Sequence, residues 1–118
     1  MATIKSHTSL EQSRKLAKIL PHESADFGWN VFVDGTSRIL PINDWDLVKD
    51  GNGNVKFYHA WSLAALISVL PNGIIMHKDS QNGKYHCCST YAGTYIKADN
   101  PVDACVEMII KLHEQNLL

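Results

Sequence analysis

Long apolar runs, a paired set of cysteines and an excess of either charge are all missing from this 118-residue chain, and each absence excludes something. The longest apolar stretch, Leu63 to Leu70, is broken by Ser68 and falls far short of the ~20 residues that cross a bilayer. Met1 to Ser13 has no apolar stretch behind its charges, which predicts no secretion signal and a cytoplasmic protein without a membrane partner. Three cysteines, two of them adjacent at Cys87 and Cys88, make no disulfide framework and predict reduced thiols. Eleven Lys and Arg against 12 Asp and Glu leave a net charge of -1, so no overall field draws in a polyanion. Cys-x-x-Cys, His-x-x-x-His and glycine-rich phosphate-loop patterns are absent, which predicts no resident metal or cofactor.

What is present is an ordinary globular mixture, 45% hydrophobic and 19% charged, of a length that suits one domain spanning residues 1–118. A first helix is predicted from Ser9 to Leu20. Thr8 and Glu11 have the spacing of a capping box, Leu10, Leu16, Ala17 and Leu20 share a face, and Pro21 stops the ladder. Trp29 to Val33 and Arg38 to Ile42 read as a hairpin around Asp34-Gly35-Thr36-Ser37, with Trp29, Val31 and Val33 on one face. Asn43 to Asn54 reads as a surface loop and Val55 to His59 as a further strand.

A second helix is expected from Ser62, its N-cap, to Leu70, with Leu63, Leu66, Ile67 and Leu70 on one side and Pro71-Asn72-Gly73 ending it. Strands at Ile74 to Lys78, Lys84 to Tyr91 and Thr94 to Lys97 form a meander. The last helix has the clearest start: Asn100 as N-cap, Pro101 at its first position and Asp103 against the positive end of the dipole. Val102, Cys105, Val106, Ile109, Leu112 and His113 form its expected buried stripe, and Leu117 and Leu118 could extend the packing. The fold class is α+β, an antiparallel sheet made of the first hairpin and the C-terminal meander with three helices packed on one face. Leu16 to Pro21 and Leu66 to Pro71 echo each other, but helix-stopping prolines are common enough that chance is preferred over duplication.

Residues able to do chemistry are scattered. His77, His86, Cys87 and Cys88 are potential zinc ligands, but a five-residue turn at Asp79 to Gly83 with simple pairing sets Met76 against His86 and puts the two histidines on opposite faces. A bulge would reverse that conclusion. Asp50, Asn52 and Asn54 open like a calcium loop, yet Val55 and Trp61 occupy the positions that need Gly and Glu. Glu23, Asp26, Asp44 and Asp46 could supply a carboxylate pair, as in any protein of this size, and Asp26 reads as a turn residue. His77, Tyr85 and Cys87 would share a hairpin face, the nearest approach to a nucleophile beside a base; a buried neutral thiol is the preferred reading of Cys87, and Cys105 is packing. Aromatic side chains concentrate in the middle of the chain. Trp29 and Trp61 are expected in the core, leaving Trp45, Phe57 and Tyr58 as the candidate interaction surface.

Asn100-Pro101-Val102-Asp103-Ala104-Cys105-Val106-Glu107-Met108-Ile109-Ile110-Lys111-Leu112 through Leu118 resembles the C-terminus of small uncharacterised proteins of gut Bacteroidales and their phages or mobile elements. Ala60-Trp61-Ser62-Leu63-Ala64-Ala65-Leu66 with Leu70-Pro71, and Glu23-Ser24-Ala25-Asp26, strengthen the likeness. That resemblance implies a setting and assigns no site. The leading expectation is a non-catalytic accessory module that binds a protein partner or itself. The alternatives are a nucleic-acid or nucleotide binder using a local Lys and aromatic patch, and a small hydrolase on the His77, Tyr85 and Cys87 face.

Overall fold

A computed structural model describes residues 5–42, 55–90 and 92–118. Their elements run α1 (Leu10–Leu16), β1 (Phe27–Phe32), β2 (Ser37–Pro41), β3 (Val55–Ala60), α2 (Leu63–Val69), β4 (Ile74–Lys78), β5 (Tyr85–Ser89), β6 (Tyr95–Ala98) and α3 (Pro101–Glu114). The α+β class holds, and every strand pairing is antiparallel. The strands do not merge into one sheet. They form two, ordered β2-β1-β3 and β4-β5-β6: β3 pairs with β1 of the first hairpin, and the meander expected to join that hairpin makes a sheet of its own. The helices are shared between these sheets, with α1 against β3 and α3 against β5 and β6. Although a helix precedes each sheet, the strand orders differ, so the two Leu-Pro endings mark no repeated topology.

Helix α1 starts one residue later than the Thr8 and Glu11 spacing suggests. Ser9 is the cap: its hydroxyl accepts from Gln12 N–H at 3.1 Å, and Gln12 Oε1 accepts from Ser9 N–H at 3.0 Å. Thr8 is instead fully buried, with Oγ1 2.7 Å from Ser13 Oγ and accepting from the Trp61 amide at 3.1 Å. After Leu16 the chain tightens, with Ile19 N–H bonded to Leu16 C=O at 2.9 Å, before Pro21 ends it. Asp26 is not an isolated turn residue. Its carboxylate accepts from the backbone N–H of Ser62 at 2.9 Å and from the Ser62 hydroxyl, while that hydroxyl accepts from Ala65 N–H and caps α2.

Helix α3 carries the core on two sides. Val102, Cys105, Val106 and Ile109 pack with Leu16, Leu20, Ala25, Trp61 and Leu66. Ala104, Met108 and Leu112 cover Cys87 and Ile96 on the second sheet. This wider apolar face differs from the expected stripe mainly in adding Ala104 and Met108; His113 is exposed, as are Leu117 and Leu118. On β1 the buried positions are Gly28 and Asn30, whereas Trp29 and Val31 are half-buried and Val33 is 83% exposed beyond the strand.

The starts of α1 and α3 are tied together by one carboxylate. Asp103 Oδ1 accepts from Lys5 Nζ at 2.7 Å and from Gln12 Nε2 at 2.8 Å, and Oδ2 accepts from Asn100 Nδ2 at 2.8 Å. Partial burial pushes the Asp103 carboxyl up, but the hydrogen bonds from Lys5, Gln12 and Asn100 and the Lys5 charge outweigh it and hold it below its ordinary value. A depressed folded-state pKa contributes stability that is complete above the unfolded value of about 3.9 and is lost as pH falls through the folded one. Asp103→Asn should therefore lower Tm at neutral pH. Thermal melts should show the gap from wild type narrowing as pH drops below about 4. A gap independent of pH would show that the ionised carboxylate is not what ties the helix starts together.

Candidate functional site

The pleat decides which side chains of the first sheet can act together. Trp29 pairs with Tyr58, and Val31 with Lys56, so these share the face that α1 approaches; Asn30 pairs with Phe57 and Gly28 with His59 on the reverse. Adjacent positions on one strand point to opposite sides, and Phe57 and Tyr58 are accordingly separated. Phe57 meets the His59 ring edge-on with centroids 5.1 Å apart, and His59 stacks on His22 at 4.1 Å. Burial, then the charge of His22, holds His59 below its ordinary pKa, partly offset by Glu23. Trp45, like Asp44, Asp46, Asp50, Asn52 and Asn54, lies outside the described residues.

Between α1 and β3 runs a groove of about 720 Å³ lined by Leu10, Glu11, Arg14, Lys15, Ala17, Lys18 and Tyr58. Leu10, Ala17 and the Tyr58 ring supply its apolar surface. Arg14 places its guanidinium over that ring, 5.5 Å from the centroid, a cation–π contact. Glu11 lies 3.7 Å from Lys15, one turn away on the same helix. Both walls are anchored from behind. Trp29 Nε1 donates to Thr8 C=O at 2.9 Å, and Thr8 N–H donates to Trp61 C=O at 2.9 Å, fixing the segment before α1 against the end of β3. Sequence reasoning missed this site because it read the first helix only through its apolar face of Leu10, Leu16, Ala17 and Leu20. The available signal was three cations within five residues of an otherwise balanced chain.

The second sheet separates the chemistry-bearing residues by a different register from the expected one. His77 pairs with His86 and Met76 with Cys87. Asp79 N–H bonds Lys84 C=O at 2.7 Å, so the loop holds four residues rather than five, and Gly83 closes it at φ +70°. Shifting by one brings the histidines to one face, their rings stacked at 4.9 Å and 2° from parallel. Cys87 moves with Tyr85 to the other face, under α3. The His77, Tyr85 and Cys87 grouping proposed for a hydrolase is therefore not assembled.

Burial, reinforced by neighbouring Cys88, pushes the Cys87 thiol up to about 11; burial and then Cys87 push Cys105 up to about 12. Under native conditions a thiol reagent should modify half-buried Cys88 first and leave Cys87 and Cys105 protected until unfolding. Mass mapping of rapid native labelling at Cys87 would contradict this packing.

The face opposite α3 presents Ile75, His77, His86, Cys88, Tyr95 and Lys97, with Ile75 54% and Tyr95 55% exposed. His86 is held between partners: Nδ1 meets the Tyr95 hydroxyl, and Nε2 lies 3.5 Å from Asp79 Oδ2. Among the described residues no group of three or more His, Cys, Asp or Glu side chains is arranged to hold a metal ion. No helix there is long and apolar enough to cross a membrane. Comparison with protein families, with curated proteins and with solved structures finds no match.

Proposed function

We propose that this chain is a non-catalytic accessory module that binds another protein through the groove between α1 and β3. The observation that carries the reading is the groove itself, where an apolar strip and an aromatic ring border a row of cations on a secured scaffold. Interfaces are built in this way, with an aromatic anchor bordered by polar and Arg groups. In this reading Tyr58 serves the interaction surface together with α1 residues, while Phe57 lies on the reverse face of the sheet. The resemblance to small Bacteroidales and phage or mobile-element proteins supplies the setting proposed for it and no site.

The nucleic-acid alternative has the groove's cations in its favour. Against it stand the net charge of -1 and the Arg14 guanidinium over one face of the Tyr58 ring, where a base would otherwise stack. The hydrolase alternative would have to work with a thiol sealed beneath α3.

Leu10→Asp and Tyr58→Ala alter the groove without touching the core cluster around Trp61. A partner retained by immobilised wild-type protein should be lost from both variants while their far-UV spectra stay native. Sedimentation would reveal a second copy of the chain as that partner. Retention undiminished by either substitution would refute the groove as the docking site.

A further inference from the structure

We propose that the partner segment seated in the α1/β3 groove is acidic and partly apolar, with carboxylates facing Arg14, Lys15 and Lys18 and an apolar side chain against Leu10, Ala17 and Tyr58. This rests on the groove being the docking site and adds the chemistry of its occupant. Charge complementarity selects this occupant. Three cations and one carboxylate line the groove. Glu11 faces Lys15, and no carboxylate among the described residues pairs with Arg14 or Lys18. Lys56, two residues from Tyr58 on the same sheet face, extends the basic rim. Because the chain as a whole is nearly neutral, this potential is local, reaching about a Debye length of ~10 Å at 0.1 M salt. It therefore selects a short acidic stretch in contact rather than a long polyanion steered from a distance.

Arginine adds geometric selectivity. Its planar fork matches a carboxylate bidentately, and its seat over the Tyr58 ring preorganises it for that contact. The apolar strip then distinguishes an amphipathic acidic segment from a merely charged one, since floor contacts act through dispersion and dehydration, which salt does not screen.

The test is a fluorescence-anisotropy titration of the full chain with a synthetic peptide of about a dozen residues alternating Glu with Leu and Phe. Its companion carries glutamine in place of every glutamate, and an oligothymidylate of similar length represents nucleic acid. The acidic peptide should bind about tenfold or more tightly than the glutamine version and should weaken as NaCl rises from 50 to 500 mM. Arg14→Glu combined with Lys18→Glu should cost at least about tenfold, and Arg14→Gln with Lys18→Gln an intermediate amount, a gradation that loss of fold would not produce. Equal affinity for both peptides, with both lost on Leu10→Asp, would overturn the acidic preference and leave the groove standing. Peptide binding indifferent to Leu10→Asp and Tyr58→Ala would overturn the groove as well. Binding of neither peptide at ~1 mM, or tighter binding of the oligothymidylate, would also overturn the proposal, the latter in favour of nucleic acid.

Discussion

Replacing Trp61 by Ala is expected to destabilise the fold by about 3–5 kcal/mol, the cost of emptying a large buried aromatic site. Trp61 is fully buried against Leu16, Leu20, Leu66, Val106 and Ile109. It sits between β3 and the cap of α2, so its ring fills the space where α1, α2 and α3 meet. Against a total of roughly 6–18 kcal/mol for a domain of this length, such a loss takes a large fraction of the stability. Tm should fall by roughly 10–25 °C. Trp61→Phe separates the two roles of the side chain. It keeps most of the packing and gives up the Nε1–H bond to Ser24 Oγ, 2.9 Å long and only partly buried, so about 1 kcal/mol should be lost. Chemical denaturation of both variants checks the pair of values. A Trp61→Ala loss below 1 kcal/mol would mean that this side chain does not hold the three-helix core together.

Thr8→Val is the second large effect, and its sign runs against simple hydrophobicity. The substitution is nearly isosteric and buries a methyl in place of a hydroxyl, so area alone predicts neutrality or a gain. Thr8 Oγ1, however, accepts from Trp61 N–H and bonds Ser13 Oγ, and all of these groups are buried. Valine leaves both partners without that bond, at about 1–3 kcal/mol for each buried polar group, or about 2–6 kcal/mol together. Thr8→Ser retains the hydroxyl and should cost only the methyl, about 1 kcal/mol. Adding Ser13→Ala to Thr8→Val should recover part of the loss, because it removes one of the two stranded groups. A stable Thr8→Val variant would show that the Trp61 amide finds another acceptor.

Local chemistry made some of the fold legible. Asn100, Pro101 and Asp103 specify the start of α3 through contacts within a single turn, and Ser62 does the same for α2. Thr8 and Ser9 compete for the first cap on equal local terms. The contest is settled by the Trp61 amide, 53 residues away, which takes the Thr8 hydroxyl and leaves the cap to Ser9. No local pattern carries that information. The β4–β5 register has the same character: one residue more or less in the Asp79 to Gly83 loop turns His86, Cys87 and Cys88 to the opposite face relative to His77. Joining Phe57 and Tyr58 in one surface was a different matter, since strand period alone separates them. The groove needed the third dimension, because α1 and Tyr58 meet only after β3 pairs with β1.

Among the described residues, the basic α1/β3 groove and the His77, His86 and Tyr95 face of the second sheet both present side chains a partner could meet. The groove has the stronger case because charge and shape there point to one kind of occupant. The second face is bordered by both Lys97 and Asp79 and offers no comparable bias. A backbone amide NMR titration with the acidic Glu, Leu and Phe peptide decides between them. Shift changes confined to residues 10–18 and 56–58 are the predicted result. Changes centred on residues 75–77, 86–88 and 95–97, with 10–18 unmoved, would contradict the account.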